Sequence, residues 1–123
     1  MSKTAHLLCM MGYRQAVRHS TLTAALVGSN PASPVLIYHC FATHGHHYLV
    51  SMDLENIKSE GISRGADMIF FGHTHKPVAK YVDGVYLFNP GSLSYPRQEG
   101  RRPSYLVITL KDSGDVAFEI KYL

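Results

Sequence analysis

The order of elements along this chain predicts an α/β fold built on a mixed sheet. Three observations carry that prediction. An apolar strand of the interior type, Met68 to Phe71, follows an amphipathic helix; a second β-rich run, Val35 to Ala42, precedes that helix; and two hairpins close the chain. Strand, helix, strand is the unit of a parallel sheet, whereas hairpins are antiparallel, so the core must hold both kinds of pairing.

Each element has a local cause. Apolar residues from Thr4 to Ala25 fit a helical period loosely, with Gly12 inside the run and no cap. Ser29-Asn30-Pro31-Ala32-Ser33-Pro34 reads as a turn or linker. Val35 to Ala42 is rich in Val, Ile, Tyr and Phe and reads as a buried strand, ending at Thr43-His44-Gly45-His46-His47. Asp53 is placed to cap a helix running to about Arg64. On it, Leu54, Ile57, Gly61 and Ile62 share one face, and Glu55, Lys58 and Glu60 are expected to point outward. The strand Met68 to Phe71 ends at Gly72-His73-Thr74-His75-Lys76-Pro77. Val78 to Val82 and Val85 to Phe88 flank Asp83-Gly84, a hairpin signal. Asn89-Pro90-Gly91-Ser92 breaks the pattern. Ser104 to Leu110 and Val116 to Tyr122 then form a second hairpin around Asp112-Ser113-Gly114-Asp115.

Charge divides the chain unevenly. All 9 acids lie at or beyond Asp53, where 9 Lys and Arg balance them; before Asp53 stand only Lys3, Arg14 and Arg18. The net +3 is therefore scattered over the first 52 residues and forms no basic stripe, which excludes nucleic acid as a partner. Hydrophobic content of 46% and charge of 17% argue for a folded, globular chain rather than a disordered one. No apolar run approaches the roughly 20 residues of a membrane helix, and the 2 cysteines make no disulfide framework. The expectation is a cytoplasmic protein with no membrane partner.

Chemistry is concentrated in histidines at strand ends. His73 and His75 are two apart after an apolar strand; in extended backbone such positions face the same way. His44 follows the preceding strand, with Gly45 after it. In α/β sheets ligands bind beyond the carboxyl ends of the strands, and three imidazoles delivered there are plausible metal ligands. His39 reads as a core or outward residue, His6 and His19 carry no site signal, and His46 and His47 read as loop residues placed where one could meet substrate.

Together Thr43-His44-Gly45-His46, Gly72-His73-Thr74-His75-Lys76-Pro77 and Asn89-Pro90-Gly91-Ser92 with Pro96-Arg97 resemble the calcineurin-like metallophosphoesterase superfamily. The likeness is to its YfcE-type branch of small bacterial and archaeal phosphodiesterases, and runs from about Phe41 to Leu123. The resemblance implies the C-terminal half of an α/β/β/α sandwich with a mixed sheet. It further implies hydrolysis of a small phosphate ester, diester or monoester, at a dinuclear centre of Mn²⁺, or alternatively Ni²⁺ or Zn²⁺. His44 and His73 would serve one metal and His75 its neighbour. His46 and Arg97 would meet substrate, although a surface role is the more frequent outcome for such an arginine, and Asn89 to Ser92 would be the loop that closes the sheet beside the site, which a plain Pro-Gly turn explains equally well.

The resemblance is partial. The family's upstream D-x-H, G-D and G-N runs, with the carboxylate that bridges the metals, have no match before Asp53. Hard divalent ions want oxygen ligands, so three imidazoles do not hold a dinuclear pair, although they suit one Zn²⁺. We therefore expect residues 1–34 to be an atypical segment, the product of a shifted reading frame or rearranged start, and residues 35–123 to be the C-terminal half-domain. One sheet of the sandwich should then lack its partner, with association into a homo-oligomer as a consequence. The alternative to an enzyme is a non-catalytic remnant that binds a partner or a single metal ion.

Overall fold

The computed structural model describes residues 4–9 as backbone, and residues 38–111 and 113–123 with side chains. The expectations for His19, for the turn at 29–34 and for a strand start at Val35 lie outside them. The elements are β1 (Thr4–Cys9), β2 (Cys40–Ala42), a single 3₁₀ turn (His46–Tyr48), α1 (Glu55–Ser63), β3 (Met68–Phe70), β4 (Val78–Val82), β5 (Val85–Asn89), β6 (Ser104–Lys111) and β7 (Val116–Tyr122).

Four strands form a mixed sheet in the order β2-β3-β5-β4. β2, β3 and β5 run parallel, with Cys40 beside Met68 and Met68 beside Tyr86, and β4 returns antiparallel along β5 through the Asp83-Gly84 turn. Asp83 there adopts a φ of 51° and Gly84 one of 80°, the left-handed pair such a turn demands. The second hairpin does not join this sheet. β6 and β7 pair with each other, and β1 adds to β6 with Thr4 opposite Lys111, giving a separate antiparallel sheet β1-β6-β7. Two expectations are corrected here. Thr4 to Cys9 is a strand rather than a helix, because its apolar residues find a partner edge on β6. The mixed sheet also has a sheet facing it.

Burial explains the layering. One row of the mixed sheet, Cys40, Met68 and Phe88, meets Leu106, Ile108 and Leu110 of β6 in a single cluster. The opposite row, Phe41, Ile69 and Leu87, packs under α1 through Ile57, with Val50, Phe71 and Val85 alongside. Met68 and Ile69 are thus both inaccessible on opposite faces, which is why β3 is apolar without alternation. Among the described residues this gives three layers, α1, the mixed sheet and the antiparallel sheet.

In α1 the Asp53 carboxylate accepts the Glu55 N–H at 3.0 Å, one residue ahead of the cap position. Gly61 faces β3 so closely that a Cβ would collide with the Ile69 side chain, so its smallness sets the helix-to-sheet distance. The buried stripe is Ile57, Lys58 and Gly61, with Ile62 exposed. Lys58 therefore corrects the outward assignment. Its stem is covered and its ammonium donates to Asp83 in the β4–β5 turn and to Glu55. Those hydrogen bonds, Asp83 first, raise the ammonium above its ordinary pKa.

Candidate functional site

Because β2, β3 and β5 are parallel, their carboxyl ends lie side by side, and the loops that leave them form one rim. Backbone hydrogen bonds stitch these loops together. Thr43 N–H donates to Phe70 O at 2.9 Å, Gly72 N–H to His44 O at 3.1 Å, and Phe71 N–H to Phe88 O at 3.0 Å. The third loop, from Pro90 to Arg97, is pinned to the antiparallel sheet by the Ser104 hydroxyl, which donates to Pro90 O at 2.9 Å.

Four imidazoles gather on the rim. The rings of His44 and His73 are 4.9 Å apart and nearly perpendicular. His46 lies 4.8 Å from His44 and 6.4 Å from His73, and His47 lies 3.9 Å from His46. The Nδ1 atoms of His44 and His46 approach to 2.8 Å, so one carries a proton and the other accepts it. His75 stands one step away, its Nδ1 at 2.9 Å from the Tyr95 carbonyl. A carbonyl only accepts, so this nitrogen holds the proton, and in the neutral ring the lone pair is on Nε2. The backbone closes the clasp, with Arg97 N–H donating to His75 O at 3.2 Å. The Arg97 guanidinium lies 5.6 Å from the Tyr95 ring centroid.

The route by which His73 and His75 reach the rim differs from the expected one. They are not extended neighbours: φ is 66° at His73 and 58° at His75, both left-handed and costly for residues with a Cβ. Something must hold that loop, and Asn89 does. It is fully buried, and its Nδ2 donates to Gly72 O and to Thr74 Oγ1, each at 3.1 Å, while its Oδ1 accepts the Gly91 N–H at 2.9 Å. Asn89, Thr74 and the Tyr95 carbonyl were not predicted as site residues. An Asn between a strand and Pro-Gly is the sequence signal for the first; a main-chain carbonyl leaves none.

Electrostatically the rim is a cluster of imidazoles. His44 is pulled below its ordinary pKa, by burial first and then by His73, His46, His75 and His47. It is therefore neutral at pH 7, the form that ligates metals. Among the described residues, however, no three His, Cys, Asp or Glu are arranged to hold a metal ion. The imidazole nitrogens suit a borderline metal such as Zn²⁺, but the carboxylate oxygens a hard dinuclear pair requires are not among them. The described residues thus do not complete the centre by themselves.

The class is thus a two-sheet α/β sandwich that presents histidines beyond the carboxyl ends of its parallel strands. The chain belongs to the calcineurin-like phosphoesterase superfamily, whose domain model matches residues 19–113. Among curated relatives it is 38% identical over 77 residues to "Probable metallophosphoesterase YsnB" of Bacillus subtilis, covering 62% of this chain and 45% of that protein. It is 35% identical over 85 residues to "Phosphodiesterase YfcE" of Escherichia coli, covering 63% of this chain and 42% of that one. The chain thus spans less than half the length of these relatives. In fold it is similar to a predicted phosphoesterase from Streptococcus pneumoniae, with a TM-score of 0.56 and 21% identity over 80% of this chain and 61% of that one. A Vps29 from Entamoeba histolytica, solved with zinc, gives a TM-score of 0.52 and 25% identity over 69% of this chain and 55% of that one. Among the described residues no helix is long and apolar enough to cross a membrane.

Proposed function

We propose that this chain supplies the histidine-bearing half of a metal-dependent phosphoesterase centre that acts on small phosphodiesters or phosphomonoesters. The observation that carries the proposal is the convergence of His44 and His73 at 4.9 Å, with His75 held by the Tyr95 carbonyl in the tautomer that frees Nε2. In this reading His44 and His73 serve one ion and His75 the second, with Mn²⁺, Ni²⁺ or Zn²⁺ as the divalent metal. His46, hydrogen-bonded to His44, and Arg97, beside His75, contact the phosphate oxygens. No hydrolytic step is assigned to this chain alone, because its first 52 residues contain no Asp or Glu to bridge two ions. Those oxygens must come from another segment or another chain. The shifted-frame origin of residues 1–34 belongs to the same proposal, and sequencing the upstream DNA in all three frames tests it.

One observation favours a second reading. The rim gathers imidazoles alone, His44, His46 and His73, a donor type that also suits a non-catalytic remnant holding one Zn²⁺, or a partner, at the same place. One experiment separates the two. Hydrolysis of bis-p-nitrophenyl phosphate is measured with Mn²⁺, beside calorimetric titration with Zn²⁺, for the wild type and for His75→Ala. Mn²⁺-dependent turnover lost in His75→Ala supports the enzyme. Stoichiometric Zn²⁺ binding without turnover supports the remnant, and neither binding nor turnover overturns both.

A further inference from the structure

The edge of the antiparallel sheet carries a self-complementary pattern. Among the described strands β7 is the outer one, paired to β6 on one side only. Its inward row, Val116, Phe118 and Ile120, packs against the core but stays only half-buried, whereas Leu106 and Ile108 beside it on β6 are at 0% exposure. The outward row, Ala117, Glu119 and Lys121, is exposed, with the Glu119 and Lys121 charges 3.9 Å apart on the same face. An open strand edge beside a half-covered apolar row is a template for another strand.

We infer that β7 is a homodimer interface, in which two copies pair antiparallel about a two-fold axis through Ile120 and join two three-stranded sheets into one of six. The register follows from the residues. About that axis Glu119 of each copy faces Lys121 of the other, Ile120 meets Ile120, and Phe118 meets Tyr122, whose ring is exposed in the single chain. Neighbouring registers are worse. An axis through Glu119 sets that carboxylate against itself, and one through Lys121 does the same to the ammonium. An axis through Phe118 leaves Glu119 opposite Ala117 and sends Lys121 to Asp115, whose carboxylate already accepts from the Ser113 hydroxyl at 3.0 Å. A slip of one residue turns the charged row onto the core face.

The test is sedimentation of the full chain at about 100 µM, a concentration at which even a modest interface assembles. Wild type is expected at about twice its 13.7 kDa monomer mass. Lys121→Glu places four acids in the pairing and Glu119→Lys four bases, and each alone weakens association about tenfold or more. The double variant E119K/K121E restores the complementary order and with it the dimer, and an equimolar mixture of the two single variants assembles as a heterodimer. Thermal melts of each variant confirm that these exposed changes leave the fold intact. A monomeric wild type, single variants that dimerise as well as wild type, or a double variant that fails to recover would each overturn the proposal.

Discussion

Replacing Asn89 with alanine tests whether the histidine loop is held from beneath. The side chain is wholly inaccessible and makes three hydrogen bonds, to Gly72 O, Thr74 Oγ1 and Gly91 N–H. Deleting it strands the Gly91 amide in the interior; Gly72 O keeps the bond from Thr74 N–H at 2.7 Å, and Thr74 Oγ1 the weaker one from Lys76 N–H at 3.3 Å. At about 1 kcal/mol per lost bond, with a desolvation cost where a buried partner goes unsatisfied, the loss sums to roughly 3 kcal/mol. In a domain of this size that corresponds to a fall in Tm of about 10–15 °C. The assay is urea unfolding followed by tryptophan-independent far-UV circular dichroism, since the chain has no Trp. A companion variant sharpens it. Asn89→Asp keeps the acceptor for Gly91 N–H but aims a carboxylate at the Gly72 carbonyl, so it should be less stable than Asn89→Ala at pH 7. It should recover as pH falls, because the protonated acid donates where the amide did. An Asn89→Ala variant within 1 kcal/mol of wild type would refute the reasoning and leave the left-handed backbone of His73 and His75 without a support.

Two further predictions follow from neighbouring residues. Gly91 has a φ of 80° and faces Ser104 so closely that a Cβ would overlap the hydroxyl; Gly91→Ala is therefore expected to cost roughly 2–4 kcal/mol in the same unfolding assay, through strain and through the lost Ser104-to-Pro90 hydrogen bond. His44 supplies a pH dependence. Its folded pKa lies below 6.5, so in that window the unfolded chain binds a proton that the folded chain resists. The stability this contributes is present above about pH 6.5 and is lost as pH falls through the folded value. A Tm series from pH 7.5 to 5.5 should slope downward, and His44→Asn should flatten it.

The fold was readable from the chain to the extent that each element had its own local signal. The Asp83-Gly84 turn, the unbroken apolar run of β3 and the alternation of β6 specify their structures within a few residues. What periodicity does not carry is which sheet a hairpin joins. β6 and β7 alternate in the same way whether they extend the mixed sheet or face it, and only the row Leu106, Ile108, Leu110 against Met68 and Phe88 decides. Thr4 to Cys9 fails for the same reason, since the run is a strand by virtue of the β6 edge and not by its own pattern. The charge of Lys58 points to an outward side chain, yet a long stem can lie in the helix–sheet seam while the ammonium reaches Asp83 and Glu55 in the solvent margin.

The histidine site shows how a correct grouping can rest on the wrong geometry. The i, i+2 rule brings His73 and His75 to one rim only in extended backbone, and here both residues are left-handed. Their proximity to His44 comes instead from three parallel strands ending together and from one buried amide that fastens the loop to β5. Loop conformation of this kind is over-determined by tertiary contacts, so it leaves its trace in the supporting residue rather than in the histidines. The sequence signal worth seeking beside a strand-end H-x-H is therefore a polar residue at the end of an adjacent apolar strand. Asn89, following Val85 to Phe88, is that residue, and its replacement should disturb His75 as measured by imidazole chemical shifts, through Thr74 and the Gly72 carbonyl on one side and the Gly91 amide on the other.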